Sequence, residues 1–254
     1  IGAVDFESRL VYSRNVNKVK KLVHNYNTGI DNQVINFTET SAGGGYIREG
    51  DSMGDVYITK VLKRDATGAI AVAADGSLSS MDLPNGERLR IGNTNPDFTL
   101  GWRNNISWKG LNLSFLINAR VGGIVTSETQ AVLDQFGVSK ATAEARDRGY
   151  VEVAGGQRVD PQKYYEVVAN QQLLGYYYYS ATNVRLQNVS LTYTLPKTLL
   201  GQGWPGITVG FIANNLWMIY NKAPFDPEIA ASTGTYGQGS DYFSAPSLRN
   251  IGFS

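Results

Sequence analysis

Polar and apolar side chains alternate along several stretches of this chain, and the period is two. From Leu111 to Val121 the pattern puts Leu111, Leu113, Phe115, Ile117, Ala119 and Val121 on one face. Asn112, Ser114, Leu116, Asn118 and Arg120 fall on the other. Such alternation predicts a strand with one apolar side, and about ten residues is what a tilted strand needs to cross a bilayer. The stretch before it behaves alike, with Phe98, Leu100, Trp102, Ile106 and Trp108 opposing Thr99, Arg103, Asn105 and Ser107. Only Lys109 and Gly110 separate the two runs, which predicts a tight hairpin. Ile207, Val209, Phe211, Ala213, Trp217 and Ile219 make a further apolar face, interrupted by Asn215. Val189, Leu191, Tyr193 and Leu195 make another, ended by Pro196. Val4, Phe6, Leu10 and Tyr12 alternate with Asp5, Glu7 and Arg9, Val34–Thr40 reads as a return strand, and Ile251 and Phe253 begin a last one.

The resulting strands, near residues 3–13, 32–41, 98–108, 111–121, 183–195, 207–219 and 247–254, are joined by links of unequal length. Those after 41, 121 and 219 are long, those after 108 and 195 are short, and the one after 13 is intermediate. Sorting long links to one end and short turns to the other is the layout of a transmembrane barrel. A soluble sandwich has no reason to adopt it. The long links carry patterns of their own: Val132, Leu133 and Phe136 within residues 128–148 are spaced like one face of a short helix, and Asp160-Pro161 before Tyr164, Tyr165 and Val168 starts another helical turn. Loops of this length usually bind something or are disordered, and their aromatic content favours binding.

Composition changes the picture only at its margins. With 23 basic and 22 acidic residues the net charge is +1, which gives no electrostatic case for nucleic acid. There is no cysteine, hence no disulfide framework and no thiolate metal site. No run of about 18 apolar residues occurs, so no transmembrane helix is expected. The mean hydropathy of −0.23 does not exclude membrane strands, whose apolar residues are spread over alternate positions. The 15 Tyr, 9 Phe, 4 Trp and 28 Gly favour strands and turns. The chain starts at Ile1 without a leader and stops at Phe253-Ser254 within a strand pattern, and seven strands cannot close a barrel of even count. The expectation is a piece of a longer protein.

From Ile91 the sequence IGNTNPDFTLGWRNNISWKGLNLSFLINARVGG resembles the GN-x-NP-x-F strand and hairpin of SusC/RagA-type outer-membrane transporters, a TonB-dependent family. Val132–Lys140 (VLDQFGVSK) is similar to the family's external loop helix, and YSATNVRLQNVSLTYTLP, ending at Pro196, to one of its strands. Asn214-Asn215-Leu216 leading to Ala223-Pro224-Phe225-Asp226-Pro227-Glu228 resembles its last long loop, and Tyr242–Ser254 the approach to its closing strand. The resemblance is specific over residues 91–254 and looser over 1–90. It implies an all-β fold, namely the C-terminal part of a large transmembrane β-barrel, with about seven antiparallel strands and long external loops. Plug, N-terminal extension and TonB-contacting segment have no counterpart here. It further implies energised import of an oligosaccharide or peptide, a SusD-like surface lipoprotein as external lid, and the inner-membrane TonB complex as energy source. Loops 42–96, 122–182 and 220–246 would meet lid and ligand, while Asn112, Ser114, Asn118 and Arg120 would line a hydrated lumen. No cofactor is implied. The alternatives are a soluble or surface-exposed β-rich glycan-binding module and a passive porin.

Candidate chemistry is sparse. The single His24 cannot build a Ser-His-Asp triad without positioned partners, and nothing near it in the sequence suggests a nucleophile elbow, so catalysis is not expected. Gly43-Gly44-Gly45 and Asp75-Gly76-Ser77 lack the ending of a phosphate-binding loop. Asp226 and Glu228 offer oxygens to a hard cation, although a proline-stiffened, hydrogen-bonded loop explains them as well. In the run Tyr176-Tyr177-Tyr178-Tyr179, period-two geometry would turn alternate rings to the barrel mouth and to lipid headgroups. The candidate ligand-binding residues are therefore Tyr176, Tyr178, Tyr236, Arg120 and Asn118. Trp102 and Trp108 read as lipid-facing, and Trp204 and Tyr193 as an aromatic girdle at the short-turn end.

Overall fold

The computed structural model describes residues 4–27, 34–35, 39–42, 45–200, 206–228 and 239–254, with side chains for all but 26–27, 34–35, 39–42, 45, 171–172, 197 and 200. Six of its strands form one antiparallel sheet in sequence order: β1 (Asp5–Ser13), β2 (Phe98–Trp108), β3 (Leu111–Val121), β4 (Asn183–Thr194), β5 (Thr208–Asn221) and β6 (Asn250–Phe253). The hairpin between β2 and β3 turns on Lys109 and Gly110, both at positive φ (47° and 85°), the backbone that a two-residue turn needs to match strand twist.

Directly paired residues share a face, so the register extends each strand's alternation across the sheet. Phe6 pairs with Ile106 and Ile106 with Leu113; Leu113 pairs with Leu191 and Leu191 with Phe211, which meets Phe253. No second sheet or helix layer covers this apolar face among the described residues, and Phe6 and Trp217 remain 63% and 58% exposed. Apolar side chains turned outward from a single layer suit a wall facing lipid. Among the described residues no second sheet packs on this face to make the shared core of a sandwich. Trp108, with the Lys109 ammonium 5.1 Å from its ring centre, and Trp102 lie on the same side, while Trp204 lies outside the described residues.

Ser8 and Asn104 interrupt that face. Asn104 is 1% exposed because the Trp102 indole lies across it: Nε1 donates to Ser8 on one flank (2.9 Å) and the ring meets Phe115 edge-on at 6.0 Å on the other.

Two expectations require correction. The described parts of residues 32–41 pair elsewhere than with β1. Within them Val34–Ile35 pairs with Tyr26–Asn27, while Glu39–Ala42 pairs with Gly45–Arg48, and β1 pairs straight with β2. Among the described residues the wall therefore has six strands. Its links become 14–97, 109–110, 122–182, 195–207 and 222–249, which alternate long and short without exception. The second correction concerns β5. Register shifts opposite Leu186 and Asn188 and opposite Val184 and Arg185 mark bulges, and Asn215 takes φ 50° there. Tyr220, in place of Ile219, thus pairs with Val184, because a bulge adds one residue and re-aims the side chains beyond it.

The long links fold. Residues 124–181 carry α1 (Glu128–Gln135), α2 (Lys140–Arg148) and α3 (Pro161–Val168), at the two places with helical spacing. Their starts are capped by Ser127, Ser139 and Asp160, whose side chains accept from Gln130, Thr142 and Lys163 N–H groups. Leu62, Ile70 and Leu78 from the first long link pack with Ala131, Val153, Val159, Val168, Leu173 and Tyr177 from the second into one buried cluster. The third docks through Ser240–Asp241, paired parallel to Ile124–Ser127. The result is a cap at the long-link end of the wall.

Candidate functional site

Where wall meets cap, the non-lipid face of the sheet ends in a set of polar side chains. Asn118 pairs across strands with Arg185, and Arg120 with Asn183. Arg185 and Asn183 are buried. Arg185 grips Asp226 with both guanidinium arms, Nη2 to Oδ1 at 2.7 Å and Nη1 to Oδ2 at 3.4 Å, and lies 3.6 Å from Glu228. The loop carrying these acids is pinned to the end of β5, because Asn221 donates to the carbonyls of Ala223 (2.9 Å) and Phe225 (2.7 Å). Burial works to raise the Asp226 carboxyl. The bonds from Arg185, Ser247 Oγ and the Glu228 N–H outweigh it and hold the group below the ordinary carboxylate value.

Arg120 anchors a second seam. Its Nη2 donates to the Thr94 carbonyl at 2.7 Å, while Nε has no partner among the described residues. Thr94 belongs to the Gly92-Asn93-Thr94-Asn95-Pro96 turn. Asn93 there accepts from the Asn95 N–H (2.7 Å) and donates to Asp55 (2.7 Å), which also receives Arg90 at 2.7 Å. Gly122 and Gly123, just past β3, sit at φ 78° and 81°, and a Cβ on Gly122 would collide with Asp97. The turn therefore ties the first long link to the wall strand it introduces.

No protein-family model matches the chain. It is 26% identical, over 265 aligned positions covering 94% of the chain, to the TonB-dependent receptor P3 of Formosa agariphila. Among solved structures it superposes on the RagAB peptide importer in its 'open-open' state with a TM-score of 0.66 at 19% identity over 98% of the chain. For the 'closed-closed' state the TM-score is 0.61 at 17% identity. The fold is that of the matching segment of barrel wall in these importer structures. The chain spans about a quarter of the length of these relatives, 25% and 26% respectively.

On this wall the candidate residues divide into two groups. Asn118 and Arg120 do lie together on the face opposite the apolar one, and Asn118 donates to Gln187, which a bulge in β4 inserts beside it. Asp226 and Glu228 reach the same corner, but as partners of Arg185. Among the described residues no cluster of three or more acidic or histidine side chains forms a cation cage.

Tyr176 and Tyr178 stand elsewhere, and the period-two expectation fails for their run. Gln171–Tyr177 is a 3₁₀ helix with a kink at Leu173, and only Tyr178–Ser180 is strand. Tyr176 accepts from the Leu62 N–H at 3.3 Å. Tyr177 is buried and donates to Asp134 at 3.0 Å, and burial together with that carboxylate pushes its phenol far up. Tyr178 sits in the strand paired with Ile124–Ser127. Tyr179 packs edge-on to Phe225 at 5.6 Å. The run holds the cap together and ties it to the third loop, rather than lining a girdle. Tyr236 lies outside the described residues. Arg185, Asn183 and Ser247 are not among the residues that sequence reasoning selects. The one signal for them is a charged residue on the polar face of the strand NVRLQNVSLTYT.

Proposed function

We propose that this chain is the C-terminal wall segment and external cap of an outer-membrane, TonB-dependent importer of oligosaccharides or peptides. The observation that carries this reading is the strict sorting of links. The described parts of all three long links meet in one cap at the end where the polar face of the wall closes on Asn118, Arg120, Asn183 and Arg185. A wall with an apolar outer face and an amide-rich inner face offers a hydrated path, and the cap stands over its mouth. The relatives support the reading in their own names, one a TonB-dependent receptor and the other a peptide importer. In this scheme a SusD-like surface lipoprotein meets the cap, and the TonB complex acts through parts of the protein outside this chain.

The test is uptake by cells that carry the full-length protein, with and without a collapsed inner-membrane proton gradient. Import that stops with the gradient is the expected result. Passage that continues unchanged points to a passive pore and defeats the proposal.

A further inference from the structure

β1 leaves the wall at Ser13, and the segment after it carries Arg14, Lys18, Lys20 and Lys21, with no acidic residue between Glu7 and Asp31. Neither seam nor the cap core uses these cations. The period of two in β1 runs on into the segment. Asn17 and Val19 are half-buried against the turn at residues 48–53. Asn17 accepts from the Ser52 hydroxyl (2.7 Å) and the Met53 N–H (2.9 Å), and Val19 exchanges backbone bonds with Gly50 and Asp51 (2.8 Å each). Arg14, Val16, Lys18 and Lys20 are exposed. Their even-numbered positions continue those of Phe6, Leu10 and Tyr12 on the apolar face of β1, so they stand in line with the side of the wall that meets lipid.

Carboxylates of the adjoining turns are engaged elsewhere. Glu49 accepts from the Leu22 N–H (2.5 Å) and bonds His24 (2.6 Å), Asp51 receives Arg48 (2.7 Å) and Asp55 receives Arg90 (2.7 Å). Lys21 is near enough to Glu49 to interact with its charge. Asp97 lines the same recess as Arg14 without pairing with it. Arg14, Lys18 and Lys20 make no ion pair among the described residues, and they form a stripe of one sign. Val16 in its midst is 74% exposed, an apolar side chain suited to the boundary between headgroups and acyl chains. Tyr12 packs on Phe98 at 5.6 Å at the edge of the apolar face, the place of interfacial aromatics. Extended chain rises about 3.3 Å per residue, which puts Arg14 roughly 7 Å past Tyr12. That is the depth of one headgroup layer. Lys18 and Lys20 stand farther out and reach back on long stems.

We propose that Arg14, Lys18 and Lys20 are a docking stripe for the phosphate groups of lipid headgroups in the leaflet around the cap end of the wall. From the import reading this takes only the membrane setting of the wall, not transport. A guanidinium meets phosphate with two parallel bonds, and lysine ammoniums meet it as point charges. A free phosphate ion offers the same charge but no acyl chain to cover Val16 and Tyr12, so the lipid is the better fit. The stripe holds lipid where the chain passes from wall to cap.

The experiment is native mass spectrometry of the full-length protein in neutral detergent, which counts bound lipids by mass. The probes are diphosphoryl lipid A, zwitterionic phosphatidylcholine and inorganic phosphate. Wild type is expected to hold diphosphoryl lipid A, with affinity falling roughly fivefold for each of Arg14→Gln, Lys18→Gln and Lys20→Gln. Removing three cap cations instead, by Lys63→Gln, Lys140→Gln and Arg148→Gln, is expected to leave it unchanged. Arg14→Lys with Lys18→Arg and Lys20→Arg keeps the charges and is expected to keep the lipid, which separates lost charge from lost fold. The proposal is overturned if wild type holds no lipid A, if the triple glutamine variant binds as wild type does, or if the cap variant loses as much. It is equally overturned if the charge-keeping variant loses the lipid, if phosphatidylcholine binds as well, or if inorganic phosphate at equal concentration displaces the lipid. Lipid binding that follows the stripe, without energised uptake, overturns import and leaves the stripe standing. Energised uptake by a protein whose triple glutamine variant still holds its lipid overturns the stripe alone.

Discussion

Wall and cap are made by one chain yet dispose of apolar surface in opposite ways. In the wall, large apolar side chains face outward, and Phe253 at the edge is 83% exposed. In the cap they converge, and Leu173 is 1% exposed. The wall draws its order from the backbone ladder and from lipid, the cap from a buried cluster that needs two separated links. Between them lie polar seams: Arg185 with Asp226, and Arg120 with the Asn93–Asn95 turn. A single hydropathy average hides all of this. The division implies that substitutions of similar chemistry act differently on each side.

The seam itself carries the largest expected effect. Arg185 and Asp226 have side chains only 6% and 10% exposed, so removing one partner strands a buried charge. Arg185→Ala is expected to cost about 3–5 kcal/mol, while an apolar pair such as Arg185→Met with Asp226→Leu is close to neutral. Limited proteolysis of residues 222–228 is the measurement. Equal protection in Arg185→Ala and wild type would show that the seam does not hold the cap.

Next comes the cap core. Leu173→Ala is expected to cost about 2–5 kcal/mol and to raise hydrogen exchange in α1 and α3 while β3 and β4 stay protected. Exchange rising equally in the wall would mean that wall and cap unfold as one unit. On the wall, Phe115→Arg is expected to cost about 2–4 kcal/mol in lipid, against under about 1 kcal/mol for its neighbour Ser114→Arg on the other face. Urea titration in bilayers compares the two. Similar costs would sink the assignment of faces.

Legibility in the sequence divides along the same line. The wall strands are legible, because a face that meets lipid along ten residues must alternate throughout. Residues 32–41 mislead because a few alternating positions also suit a local hairpin such as Glu39–Ala42 with Gly45–Arg48. The tyrosine run misleads because strand geometry is expected where the chain is 3₁₀-helical. The helices of the cap can be seen locally, but not its core, since Leu62 and Leu173 meet only after folding. Arg120, Asn118 and Asp226 stand out by chemistry. Arg185 does not, since its partner Asp226 lies 41 residues away and no local spacing links them.

The smallest expected effect is in pH, and it separates seam from cap by sign. The folded Asp226 carboxyl lies below its ordinary value of 3.8. Its stabilisation is therefore present above that value and is lost as pH falls through the lower, folded one. The Tyr177 phenol is raised above 10.0 by burial and by Asp134. Its contribution is present below pH 10 and is lost as pH climbs above it. Acid should thus open the seam first, and alkali the cap. Proteolysis of residues 222–228 between pH 5 and about 2, and exchange in α1 above pH 10, read the two limbs. Asp226→Asn should flatten the acid limb without touching the alkaline one, and Tyr177→Phe should do the reverse. If either substitution flattened both limbs, wall seam and cap core would be a single titrating unit and the division drawn between them would fail.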